Sequence, residues 1–279
     1  MKSKYRKNLV ISRERFNRLY NAQKDNNEGN FTMMMEDPGF LNAVSTMLSV
    51  QELSNALDSI NAELTNDQLD VIFSKYDKDI LPENIRMGIK NHINQNRSSD
   101  NIARDDKGKS DLMYAVSVLH NFPIITYKLL MSYPIETILQ DRDSLGRTVL
   151  MYACREPENE SIIDNIIKKI SYDNTLSRSN SKRIKDNLDL TDNFGFTALI
   201  YACISGSYGN VYTIIDLYPK DELSKYVAGV INKKGKSAYD IANFMYQKVL
   251  QRKWTRYNES EVKHIYNTLD KISRQSHSD

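Results

Sequence analysis

Four stretches of the chain repeat one order of polar and apolar positions. Asp105 to Ala115, Asp143 to Ala153, Asp192 to Ala202 and Asn232 to Ala242 each read Asp or Asn, two variable residues, Gly, one variable residue, Ser or Thr, and then an apolar start ending in Ala. A second apolar run at helical spacing follows each: Phe122 to Leu130, Ile162 to Ile170, Val211 to Leu217 and Val262 to Leu269. The pattern predicts a turn, a helix, a reversal and a second helix, copied four times.

Each column has a physical reason. An Asp or Asn side chain bonds nearby backbone amides and opens a turn, and Gly supplies the positive φ that the turn requires. Ser110, Thr148, Thr197 and Ser237 then stand where a helix needs its N-cap. The alanines at equivalent positions let two helices approach closely. Such a unit cannot bury its apolar face alone, so neighbours must stack, which accounts for the tandem copies.

The pattern resembles the ankyrin repeat over roughly residues 102–272, with the closest stretch from Gly206 to Ala242. The resemblance implies an all-α fold: an ankyrin-repeat solenoid with projecting turn fingers. The chain departs from that family in carrying Ser-Asp-Leu-Met, Thr-Val-Leu-Met, Thr-Ala-Leu-Ile and Ser-Ala-Tyr-Asp where the family has Thr-Pro-Leu-His. With the His gone, Tyr114, Tyr152 and Tyr201 are expected to compensate by packing. The repeat glycines are 38, 49 and 40 residues apart, longer than the usual unit. The excess in the second unit falls in residues 172–187, a polar stretch that reads as a projecting loop. The fourth unit has a long first helix to about Lys253 and a break at Trp254–Asn258, as expected of a C-terminal cap. Residues 273–279 form a tail.

Residues 36–98 read as a small, separate helical unit, a candidate N-terminal cap or second binding unit. Ser49-Val50-Gln51-Glu52 and Thr65-Asn66-Asp67-Gln68 are capping boxes, and Leu53, Leu57, Ile60 and Leu64 form one stripe, with Leu69, Ile72, Phe73 and Tyr76 forming another. Four short helices are expected, with breaks near Ser49, Thr65 and Pro82. Asp77-Lys78-Asp79 looks like the entry to a calcium loop, but Pro82 and Gly88 stand where Gly and a bidentate Glu are required.

Composition narrows the function. No apolar run approaches the length of a membrane span, and the opening Met1-Lys2-Ser3-Lys4 lacks the apolar core of a secretory leader. Cys154 and Cys203 occupy one column in successive units and read as reduced core residues in a cytoplasmic protein. His92, His120, His264 and His277 are scattered without metal-ligand spacing, and neither phosphate loop nor nucleophile motif occurs, so no cofactor, metal or catalytic residue is expected. Residues 1–35 form a basic segment; Lys2, Lys4, Arg6, Lys7, Arg13, Arg15, Arg18 and Lys24 face Glu14 alone up to residue 24. That asymmetry leaves a nucleic-acid-associated adaptor as one alternative, and a pathogen or viral effector using the N-terminal unit as another.

What the resemblance implies is a protein-binding module whose variable fingertips touch the partner. Residue by residue those tips are Lys107, Lys109, Ser144, Arg147, Asn193, Phe196, Lys233 and Lys236. Five are basic, which favours a protein partner with an acidic surface. Phe196 stands out as a hydrophobic anchor or as packing against its neighbours.

Overall fold

The computed structural model describes residues 64–95, 102–171 and 177–275. The basic segment, the Ser49 capping box and the Leu53–Ile60 part of the apolar stripe lie outside them. The described residues hold α-helices and one π-helical turn at Lys225–Gly229, with a single isolated bridge between Arg104 and Ser110. In chain order these are α1 (Asn66–Phe73), α2 (Glu83–Gln95), α3 (Asp111–Ser117), α4 (Pro123–Ser132), α5 (Ile135–Gln140) and α6 (Val149–Arg155). They continue as α7 (Glu160–Ser171), α8 (Ser177–Leu188), α9 (Ala198–Ser205) and α10 (Tyr208–Leu217), then α11 (Ala238–Leu250) and α12 (Glu259–Gln275).

The fourfold pattern becomes a two-layer stack. Helices α3, α6, α9 and α11 pack side by side as the first layer, and α4, α7, α10 and α12 follow as the second. Each first helix is capped as its sequence demands: Ser110, Thr148, Thr197 and Ser237 accept the amides of Met113, Met151, Ile200 and Asp240 at 3.1–3.3 Å. Ala115, Ala153 and Ala202 are fully buried, which is what close approach of neighbouring helices requires. The main apolar core extends from Leu64 to Leu269, and Met245, Val249 and Val262 form a smaller cluster beside it.

Buried amides bind the layers where the chain reverses. Asn159 donates to the carbonyls of Val116 and Ala153, and Asn210 donates to those of Cys154 and Glu156. Each Asn thus ties its own unit to the one before, satisfying helix-end carbonyls that would otherwise be orphaned in the core.

At the N-terminal end, α2 packs on α3 and α4. Gly88 permits the approach, since a Cβ there would lie 2.3 Å from that of Ala103. Beneath it is a polar knot. The fully buried Asp111 accepts the Tyr133 hydroxyl at 2.7 Å, and His92 of α2 lies 3.8 Å from the same carboxylate with its ring against Tyr133. Burial raises the Asp111 pKa, and the Tyr133 hydrogen bond and His92 act against that shift. Nearby Asp141 takes Arg104 at 2.7 Å and Ser110 at 2.6 Å.

The polar stretch expected as a projecting loop is corrected by the structure: Ser177–Leu188 is helix α8, packed on α7 and α10. Its anchors are Ile184 and the fully buried Leu188, whose carbonyl accepts the Tyr226 hydroxyl at 2.8 Å. Two apolar residues four apart among polar neighbours leave a helical period too faint to read, and packing supplies what the local pattern lacks. Residues 172–176 of that stretch lie outside the described residues.

Cys154 and Cys203 are fully buried free thiols, and burial pushes the Cys203 thiol up to about 12. Neither is expected to react with an aromatic disulfide reagent at pH 8 in the native protein, while both should react in denaturant. Rapid labelling of either in the native state would show that the core opens locally.

Candidate protein-binding surface

Before each first helix the chain makes the same tight finger, and a single side chain organises it. In the first, Asp105 Oδ1 accepts the amides of Lys107 and Lys109 at 2.9 and 2.8 Å. Asp143 does this for Leu145 and Arg147, Asp192 for Phe194 and Phe196, and Asn232 for Lys234 and Lys236, all at 2.7–3.0 Å. Gly108, Gly146, Gly195 and Gly235 take φ of 67–81°, a conformation that a Cβ would strain.

The second carboxylate oxygen reaches the core. Tyr114, Tyr152 and Tyr201 donate their hydroxyls to Oδ2 of Asp105, Asp143 and Asp192 at 2.8–3.0 Å. The tyrosines expected to replace the missing His by packing therefore also supply a hydrogen bond. In the fourth finger the Tyr column holds Ile241, and the Asp column holds Asn232. A neutral amide fits there, because no hydroxyl arrives to satisfy a second carboxylate oxygen.

Neighbouring fingers are stitched tip to tip. Ser144 N donates to Lys107 O at 2.9 Å, Asn193 N to Leu145 O at 2.8 Å and Lys233 N to Phe194 O at 2.9 Å. Asn193 adds a side-chain bond to Ser144 O. The fold is an all-helical solenoid of stacked helix–turn–helix repeats.

Two solved structures align with this chain. One is an ankyrin repeat domain from Acinetobacter baumannii AYE, 17% identical, aligned over 85% of this chain and 98% of that one at a TM-score of 0.40. The other is the complex of a predatory endopeptidase from Bdellovibrio bacteriovorus with its immunity protein, 17% identical over 58% and 83% of the two chains at a TM-score of 0.25. No family model and no curated protein matches the chain.

The tip residues expected from the sequence fall into three groups. Lys107, Lys233 and Lys236 are exposed cations outside any ion pair among the described residues. Ser144 and Asn193 are exposed and take part in the stitching, Ser144 through its backbone and Asn193 through backbone and side chain. Lys109, Arg147 and Phe196, the residues just after the first three of these glycines, turn back onto the tyrosines. Lys109 Nζ lies 4.0 Å from the Tyr114 ring centre and 4.9 Å from that of Tyr152. Arg147 stacks on Tyr152 and pairs with Asp143 at 2.6 Å. Phe196 meets Tyr201 edge-on at 5.8 Å, which places it in the packing.

The column just before each Gly contributes Lys107 alone to the tips expected from the sequence. It reads Lys107, Leu145, Phe194 and Lys234. Leu145 and Phe194 are 37% and 51% exposed on adjacent tips, with Lys234 exposed beyond them. The readable signal was an apolar pair in a column where turn geometry demands nothing apolar.

At the opposite edge, the helix reversals enclose a cleft of ≈ 830 Å³ lined in part by Glu158, Glu160, Gly209, Arg256 and Glu261. Two of its acids are committed to the fold: Glu160 accepts the Ser207 hydroxyl, and Glu261 accepts the Tyr208 amide at the start of α10. Among the described residues no group of three potential metal ligands occurs, and no helix is long and apolar enough to cross a membrane.

Burial lowers the Lys109 pKa to about 8, with Asp105 acting against it. Between pH 8 and the ordinary lysine value near ~10.4, the unfolded chain binds more protons at this position than the native chain, so its contribution to stability rises with pH. Above about 10 the sign reverses: Tyr114 is raised to about 12 by burial and Asp105, and Tyr152 and Tyr201 are also raised. Their ionisation in the unfolded chain alone then draws protein out of the native state. The urea midpoint of wild type should therefore gain on that of Lys109→Met between pH 8 and 10, and both should fall above that. A constant difference across the window would contradict the assignment.

Proposed function

We propose that the chain is a non-catalytic protein-interaction module that holds an acidic partner surface along its finger edge. The observation that carries this is the exposed lysine set Lys107, Lys233, Lys234 and Lys236 on tips locked to one another by backbone bonds. Tips fixed before binding lose little conformational freedom on binding. The finger carboxylates Asp105, Asp143 and Asp192 are engaged by tyrosines and amides, so they do not cancel the lysines by direct pairing. Long-range attraction to an acidic surface then speeds encounter and sets register.

In this reading the α1–α2 hairpin is the N-terminal cap of the array, sealing the first unit with Ile85, Ile89 and the His92–Asp111–Tyr133 knot. The α11–α12 unit closes the other end. Lys109 and Arg147 contribute charge beside the tyrosine layer without being free contacts, and the protein works in the cytoplasm.

The test is a crosslinking pulldown from the native cell, comparing the intact chain with a variant carrying Lys107, Phe194, Lys233 and Lys236 all changed to Ala. Circular dichroism should show both folded, because the four side chains are exposed. A partner lost from the variant supports the finger edge. An unchanged set of partners moves the binding site to another surface and sinks this proposal.

A further inference from the structure

The exposed apolar residues on the fingers are not scattered. Leu145 and Phe194 hold the same position in consecutive fingers, directly before Gly146 and Gly195. Each carbonyl accepts the amide of the next finger, from Asn193 and Lys233, so the backbones carrying the two side chains are fixed relative to each other. Lys107 stands on one side of the pair, and Lys233, Lys234 and Lys236 on the other. The arrangement is a small apolar centre within a cationic rim, the order found where a few central side chains carry binding and a charged border sets orientation.

We infer that Leu145 and Phe194 are paired anchors for an extended acidic segment of a partner protein that presents two apolar side chains three residues apart. The inference rests on the finger edge being the binding surface. Its spacing follows from geometry. Adjacent units repeat at the distance of packed helices, about 8–10 Å. In an extended chain of polyproline type, residues i and i+3 lie on one face about 9 Å apart. One apolar side chain then meets Leu145 and the other meets Phe194, while intervening and flanking carboxylates reach the lysines. A basic segment is repelled by the rim, and an acidic segment without apolar side chains has nothing to fill the centre.

Fluorescence anisotropy of short labelled peptides on the full chain tests this directly. The probes are an acidic peptide with apolar residues at i and i+3, the same peptide with both changed to Ser, one with them moved to i and i+1, and a basic peptide keeping the i, i+3 pair. The first should bind at least about tenfold more tightly than the others, and its affinity should fall as salt rises. Leu145→Ser and Phe194→Ser should each weaken it about tenfold, whereas Phe196→Leu should leave it nearly unchanged. Equal binding of all acidic peptides, or indifference to Leu145→Ser and Phe194→Ser, would overturn the anchor pair. A single-stranded oligonucleotide that outcompetes the first peptide, and depends on the lysines alone, would overturn it in favour of nucleic acid. If no peptide binds while the finger variant still loses its cellular partner, the anchor inference fails and the finger edge stands. If that variant keeps all its partners, both fall.

Discussion

The Asp or Asn that opens each finger is the joint on which this architecture turns. One oxygen holds two backbone amides and so shapes the loop, and in three fingers the other oxygen holds a tyrosine from the helix that follows. The same few atoms thus fix the local turn and attach it to the packed layer. Hydrogen bonds to a charged acceptor are worth about 1.5–3 kcal/mol each in stability, and more is at stake where the group is shielded from water. Because the fingers are then also stitched to each other, a change in one carboxylate reaches the neighbouring tips as well as its own.

This joint explains why a binding edge can exist at all on such short turns. Free loops of this length would sample many conformations and lose that freedom on binding. Here the backbone of each tip is held by its Asp or Asn, its Gly and its neighbour, leaving only side chains to be ordered. Lysines and apolar residues outside the joint are free to vary in identity without disturbing it. Residues inside it, such as Lys109, Arg147 and Phe196, are drawn into the tyrosine layer and contribute to the array more than to a partner.

The ends of the stack follow different solutions to one problem. At the N-terminal end a helical hairpin docks through apolar residues and a buried polar knot, with Gly88 and Ala103 in close contact. At the C-terminal end the last unit lengthens its own first helix and folds Trp254 and Tyr257 against it. Inserted helix α8 enlarges the outer layer between the second and third units and is secured by Leu188 and Tyr226. These additions protect apolar surface that repeats of uniform length would leave bare.

The repeat, its caps and its turns were legible from residue order, because Asp, Gly and Ser or Thr at fixed offsets act on atoms within a few residues of themselves. The all-helical fold followed from them, as did the burial of Cys154 and Cys203 in one column. Three things required the packed chain. Helix α8 carries too few apolar residues to announce itself and forms against its neighbours. The hydroxyls of Tyr114, Tyr152 and Tyr201 meet their carboxylates only once helix and finger are folded together. The sorting of tip residues is a matter of where each Cβ points after Gly takes its positive φ: the residue before Gly faces solvent, and in the three fingers that have a tyrosine the residue after it faces that ring. A column in the sequence says that positions are equivalent, but the direction of their side chains belongs to the three-dimensional turn.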